Sequence, residues 1–250
     1  MASTDTKDRI LDSAEGLFAK RGFASTSLRN VIAEAGVNLA AVHYHFGSKE
    51  ELIRAVFARR FEPINRERLR LLTDFEVAGK AGGKAGGEAG GQAGDQSGGE
   101  AGDQSGYGPG DQPDDAALET ILAILVGPFL AAAREQGEEW STVGLLVGRV
   151  YTEPDFEIRR LLHEQFQEVS DRFSVTMKRC LPELSDEEFA YRFHFVVAAM
   201  AVSLVHTEDI RLLSHGRIDP ARDPEVFARR WISFAAAGLR APATDVGGVA

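Results

Sequence analysis

His43, Tyr44 and His45 stand in a row, with Ser48 and Lys49 close behind. Side chains of these types suggest three chemistries: ligating a metal, activating a nucleophile, or offering hydrogen bonds to another macromolecule. Spacing argues against the metal. Residues i and i+2 of a helix point about 200° apart, and no cysteine or carboxylate nearby completes a zinc set. Nucleophilic catalysis has no better support. There is no G-x-S-x-G, and Cys180, the single cysteine, has no evident partner in its basic helical stretch. The run "GKAGGKAGG" has the composition of a phosphate loop but not its spacing; it lacks Ser or Thr after the lysine and a preceding strand. No catalytic residue, metal or cofactor is expected, so the chain does not read as an enzyme. The third chemistry remains.

That chemistry needs an element to carry the row to its target. "TSLRNVIAEAG" puts Leu28, Val31, Ile32 and Ala35 on one helical face, with Thr26 a candidate N-cap and Gly36 the stop. "NLAAVHYHF" follows as a short helix, capped by Asn38, with Val42 and Phe46 facing in. A helix, a glycine turn and a short capped helix form a helix-turn-helix pattern. Its second helix can enter the DNA major groove, about 12 Å wide. Leu39, Ala40 and Ala41 keep the leading edge slim, and His43 on the same side can meet a base edge. The Tyr44 hydroxyl can reach a phosphate. So can Thr26, Ser27 and Lys49, which lie at helix N-termini where free N–H groups favour an anion. Two bland alternatives stay open: His45 wedged between helices, and Tyr44 as packing.

The helix "TKDRILDSAEGLFAKRG" precedes this unit. "SKEELIRAVFARRFEPINRERLRLLTDFEV" follows it, opening with a Ser48–Glu51 capping box and interrupted by Pro63. From Ala78 to Pro113 the chain holds 14 of its 26 glycines and almost no large apolar residue. Such a stretch cannot bury enough surface to offset chain entropy and reads as a disordered linker. Beyond it, helices are expected near Asp114–Gln136, Glu138–Tyr151, Pro154–Cys180, Ser185–Leu213 (with a second capping box, Ser185–Glu188) and Pro224–Arg240. No strand pattern appears, so the fold class is all-α. The expected organisation is a helix-turn-helix head at 1–50, a connecting helix at 51–77, the linker at 78–113, a helical body at 114–240 and a flexible tail at 241–250.

Net charge is −10, yet Met1–Thr73 carries 12 Lys/Arg against 9 Asp/Glu, so the acidity lies in the remainder. A positive head on an acidic body permits DNA binding. The apolar runs fall short of the roughly 18–20 residues of a membrane span, and the N-terminus has no secretory pattern. One cysteine suits a reducing cytoplasm.

Residues Thr6 to Phe57 resemble the DNA-binding domain of the TetR family of bacterial transcriptional regulators. "LFAKRGF", "TSLRNVIAEAGV" and "YHFGSKEEL" carry the resemblance in that order. It implies a homodimer on a palindromic operator in double-stranded DNA, joined through the last two long helices and released by a small apolar effector. By matching position, Leu39, Ala40, Ala41 and His43 face bases, with Arg29 a further candidate; Thr26, Ser27, Tyr44, His45 and Lys49 face phosphates. His43 stands where the family often has tyrosine. A narrower similarity, in "GVNLAAVHYHFGSK", "FHFVVAAMAVSL" and "FAAAGLRA", is to the PsrA-type subgroup, which responds to long-chain fatty acids. The candidate pocket residues are Phe61, Trp140, Leu145, Tyr151, Phe166, Phe173, Phe195 and Met200. The alternative reading is an interaction module that kept the head fold and no longer binds DNA.

Overall fold

The computed structural model describes residues 2–86, 115–136, 140–205, 207–219 and 223–243. Every regular element among them is an α-helix. The head is α1 (Ala2–Arg21), α2 (Leu28–Ala35) and α3 (Leu39–Phe46). Three glycines with positive φ, at Gly22, Gly36 and Gly47, end these helices; a side chain there would be strained. Asn38 caps α3 by accepting from the Ala41 N–H at 2.8 Å. The cap of α2 is Ser27, which forms a box with Asn30, one residue beyond the expected Thr26.

The connecting helix α4 (Lys49–Gly86) continues past the expected boundary at 77 and takes Pro63 within it. Most of the expected glycine-rich linker lies outside the described residues. The body comprises α5 (Asp115–Gln136), α6 (Trp140–Thr152), α7 (Phe156–Glu164), α8 (Gln167–Arg179), α9 (Asp186–Val205), α10 (Thr207–Leu213) and α11 (Pro224–Arg240). The single helix expected over Pro154–Cys180 is two, α7 and α8, meeting at Gln165–Phe166. The expected Ser185–Leu213 helix is described as α9 and α10. The start of the expected tail is held: the buried Arg192 donates to the Ala241 and Pro242 carbonyls.

Two apolar cores run through the molecule. One joins the head to the upper body, from Ile10, Phe18 and Val42 through Phe57 and Phe61 to Leu146 and Leu162. The other packs Leu72 of α4 with Leu122, Phe173, Met200 and Trp231. Along the first, aromatic rings touch in sequence: Phe18–Phe23 at 5.2 Å, Phe23–Phe57 at 5.7 Å, Phe57–Phe61 at 5.1 Å and Phe61–Phe166 at 5.4 Å between centroids. Contacts of this geometry add to the area each ring buries.

Polar cement joins α1 to α4. Glu15, with its side chain 4% exposed, takes charge-assisted bonds from Arg59 at 2.5 Å and from Arg60 at 2.8 Å. Removing one partner strands the others in a poorly solvated place. Glu15→Gln should therefore cost about 2–3 kcal/mol in urea unfolding, below the ~3–5 of a fully enclosed pair because both arginines keep some solvent contact. Glu51→Gln, in an exposed pair with Arg54, should cost under about 0.5 kcal/mol. Equal costs would show that burial does not govern the α1–α4 junction.

Candidate nucleic-acid interface and effector pocket

The outward side of α3 is slim and open. Leu39 is 52% exposed, Ala40 is exposed and Ala41 half-buried. Val42 and Phe46 on the opposite side are buried and seat the helix. His43 is exposed, and its Nδ1 lies 2.7 Å from the Gly47 carbonyl oxygen. A carbonyl only accepts, so Nδ1 carries the proton. In the Nδ1–H tautomer Nε2 is an acceptor, and in the doubly protonated ring it is a second donor. Tyr44 is 82% exposed, whereas His45 is half-buried against the Tyr44 and Phe46 rings.

Ser27 and Arg29 are exposed at the start of α2. Lys49 is the first residue of α4, where N–H groups are free. Among the described residues, no carboxylate pairs with Arg29 or Lys49. Thr26 is a correction. It is fully buried, and its hydroxyl donates to the Gly22 carbonyl at 2.8 Å, so it ties the α1–α2 turn and presents nothing to a phosphate.

The pocket lies among α4, α5, α6, α7, α8 and α9, with His163 contributed by α7. Its volume is about 100 Å³, against roughly 300–1,000 Å³ for a drug-sized site. A ligand beyond a few atoms must push its walls apart. Of the residues expected to line it, Phe61, Tyr151, Phe166, Phe173 and Met200 do so. Leu145 and Phe195 do not. They are 40% and 62% exposed, on the outer sides of α6 and α9. The Trp140 side chain lies outside the described residues.

Sequence reasoning missed Arg68. It lines the cavity from α4 and is only 5% exposed. Its Nε donates to the Leu125 carbonyl at 2.7 Å and its Nη1 to Asn65 Oδ1 at 3.2 Å. Burial pushes its pKa down to about 10, against a smaller opposing effect of Tyr151, so it remains charged at neutral pH. Burial also raises the Tyr151 pKa. The available signal was the α4 stripe: Phe61, Ile64 and Leu72 are buried at helical spacing, and Arg68 falls among them.

The pocket is wired to the head. Val147, Val150 and Tyr151 of α6 line it. From the same helix, Arg149 donates to the Ala19 and Lys20 carbonyls at the end of α1, at 3.3 and 3.1 Å. At the far side of the body, Tyr191, Phe195, Val202 and Phe234 are 50–66% exposed on α9 and α11.

A helix-turn-helix head with an open second helix, set on a helical body with an apolar cavity, defines a ligand-binding regulator of transcription. The comparisons agree. The model for bacterial regulatory proteins of the tetR family matches residues 10–56, and that for the tetracyclin repressor-like C-terminal domain matches residues 123–238. Head and body together thus belong to the TetR family. The HTH-type transcriptional regulator SrpR of Pseudomonas putida is 37% identical over 60 residues, 24% of this chain and 28% of SrpR. The match therefore spans little more than a quarter of that relative. Two solved structures share the fold. FadR from Bacillus halodurans, described as a fatty acid degradation regulator, has 13% identity and a TM-score of 0.51, over 94% of this chain and 96% of that one. SmeT in complex with triclosan has 16% identity and a TM-score of 0.51, over 96% of each chain. At these identities they show the fold alone. Among the described residues, no helix is long and apolar enough to cross a membrane.

The Thr26 assignment can be checked directly. Thr26→Val keeps the shape and loses the buried bond, so it should cost about 1–2 kcal/mol of stability. The salt dependence of DNA binding should not change. A flattened salt dependence with unchanged stability would return Thr26 to the DNA side.

Proposed function

We propose that this protein is a repressor that binds a palindromic operator as a homodimer in the cytoplasm and is released when a small apolar-bodied effector enters the cavity. The observation that carries the DNA reading is the open face of α3, with exposed Ser27, Arg29 and Tyr44 and the Lys49 end of α4 around it. In this reading Leu39, Ala40 and Ala41 let the backbone approach the bases. His43 Nε2 meets a base edge, accepting from an adenine N6 or cytosine N4 amino group in the Nδ1–H tautomer and otherwise donating. Tyr44, Lys49 and the half-buried His45 hold phosphates, joined by Ser27 once its hydroxyl turns from Asn30 Oδ1, and Arg29 reaches a neighbouring base or phosphate.

The effector reading is an acyl chain. It is supported by the aromatic and aliphatic walls of the cavity and by the PsrA-type likeness. Each buried methylene is worth up to about 0.8 kcal/mol, so a chain can offset the work of parting Phe61 from Phe166. The second copy would meet α9 and α11, whose exposed Tyr191, Phe195, Val202 and Phe234 are what a subunit face requires.

Selection of bound fragments from genomic DNA, followed by band shifts, tests the function. If each subunit neutralises about three phosphates, log K should fall against log salt with a slope near −5. Lys49→Ala should weaken binding to every sequence and flatten that slope. His43→Ala should change base preference at one position in each half-site. Failure to recover any fragment would favour an interaction module that no longer binds DNA. For the dimer, Phe195→Glu with Phe234→Glu should give folded monomers by sedimentation and abolish the shift. A dimeric double variant would move the interface elsewhere.

A further inference from the structure

Resting on the cavity as the effector site, we infer that the effector is an organic acid, with an apolar body and one carboxylate, and that Arg68 binds this carboxylate inside the cavity. The geometry of Arg68 points there. Its side chain is enclosed, it lines the cavity, and both of its hydrogen-bond acceptors, the Leu125 carbonyl and the Asn65 amide oxygen, are neutral. Neither bond uses Nη2. Among the described residues, no carboxylate pairs with Arg68, and no Asp or Glu lines the cavity.

Among the described residues, the other buried arginine shows the usual arrangement. Arg192, 8% exposed, pairs with Glu188 at 2.7 Å and also ties the end of α11. A guanidinium withdrawn from water is costly unless a counter-charge and good hydrogen bonds repay it. Folding has already desolvated Arg68 without that counter-charge, so an incoming carboxylate meets a pre-organised fork. The Tyr151 and Ser170 hydroxyls line the same cavity and can donate to it. The remaining walls, Leu125, Phe129, Val169 and Phe173 among them, suit the apolar body.

This placement separates ligands that the acyl reading alone does not. A free acid brings its charge to Arg68. An alcohol or amide of the same length brings none. A coenzyme A thioester carries its charges on the coenzyme, too far from the acyl carbonyl to follow it into so small a space. The free acid is therefore the effector, and the thioester is not.

The test uses the full chain with two acids, dodecanoate and 4-phenylbutanoate, each beside its primary alcohol and amide, and dodecanoyl-coenzyme A. Binding is read by calorimetry, and release by band shift on a selected operator. At least one acid should bind tenfold or more tighter than its alcohol and amide, and dodecanoyl-coenzyme A should be no better than the alcohol. Arg68→Met should erase that preference while keeping alcohol binding; Arg68→Lys, which keeps the charge, should retain most of it. Should the methionine variant fail to fold, the parent's acid-to-alcohol ratio and the lysine variant decide. Equal binding of acid and alcohol, a preference that survives in Arg68→Met, or no binding of either acid overturns the inference. A chain that holds its operator yet treats acid and alcohol alike loses only this inference. One that binds no DNA fragment loses the regulator reading, while an Arg68-dependent preference for acid would still stand.

Discussion

The buried side of α4 is the constraint on which the rest of the structure depends. One helix supplies Phe57 to the head core and Phe61 to the pocket wall, and the two rings stack at 5.1 Å. Phe23 seats against one end of this stack and Phe166 against the other. Close-packed interiors have little room to absorb a displacement locally. A ligand that parts Phe61 from Phe166 therefore acts on the same row of rings that holds α1. Arg149 adds a second tie, from the α6 wall of the cavity to the last carbonyls of α1. Its guanidinium also lies against Gly22, where an added Cβ would sit 3.7 Å away. Arg149 thus joins α6 directly to the end of α1.

Charge is distributed with the same economy. The basic excess of the first 73 residues suggests a broadly positive head, but several of the side chains that make it up are already engaged. Arg54, Arg59, Arg66 and Arg70 pair with carboxylates, and Arg68 is enclosed in the body. Around α3 the outer face offers Arg29, Tyr44 and Lys49, whereas the Ser27 hydroxyl already donates to Asn30 Oδ1 at 2.7 Å. Affinity in the proposed complex then comes from a few well-placed contacts and the fit of α3 in the groove, and less from a diffuse positive field.

Helix starts marked by a capping side chain were legible: Asn38, Ser48 and Ser185 each accept from the expected backbone N–H. Thr26 and Ser27 are both competent caps. Their roles are divided by burial, which only the α1–α2 packing decides. The break at Gln165–Phe166 carries no Gly or Pro; it places the Phe166 ring against Phe61 and Phe57, a tertiary demand with no local signal. In α9, apolar residues occupy most of the circumference, so periodicity could not say which faced the pocket. Phe193, Val197 and Met200 do, while Phe195 faces out. The burial of Arg68 was not legible, because a charge counted by region does not say which side of its helix bears it.

The size of the cavity bears on how release would work. At about 100 Å³ the described conformation has too little space for a long acyl chain. In the proposed reading the ligand binds best to a conformation in which α4, α6 and α8 stand further apart. A ligand shifts an equilibrium only by its differential affinity for the two states. Both ties to the head, the ring row along α4 and the Arg149 clamp on α1, leave from the walls that must separate. In the proposed dimer, a small rotation of each head changes the distance between two recognition helices that must meet half-sites about 34 Å apart. Reciprocity then follows: an operator that holds the heads at this spacing holds the cavity closed, and weakens the ligand by the factor by which the ligand weakens the operator.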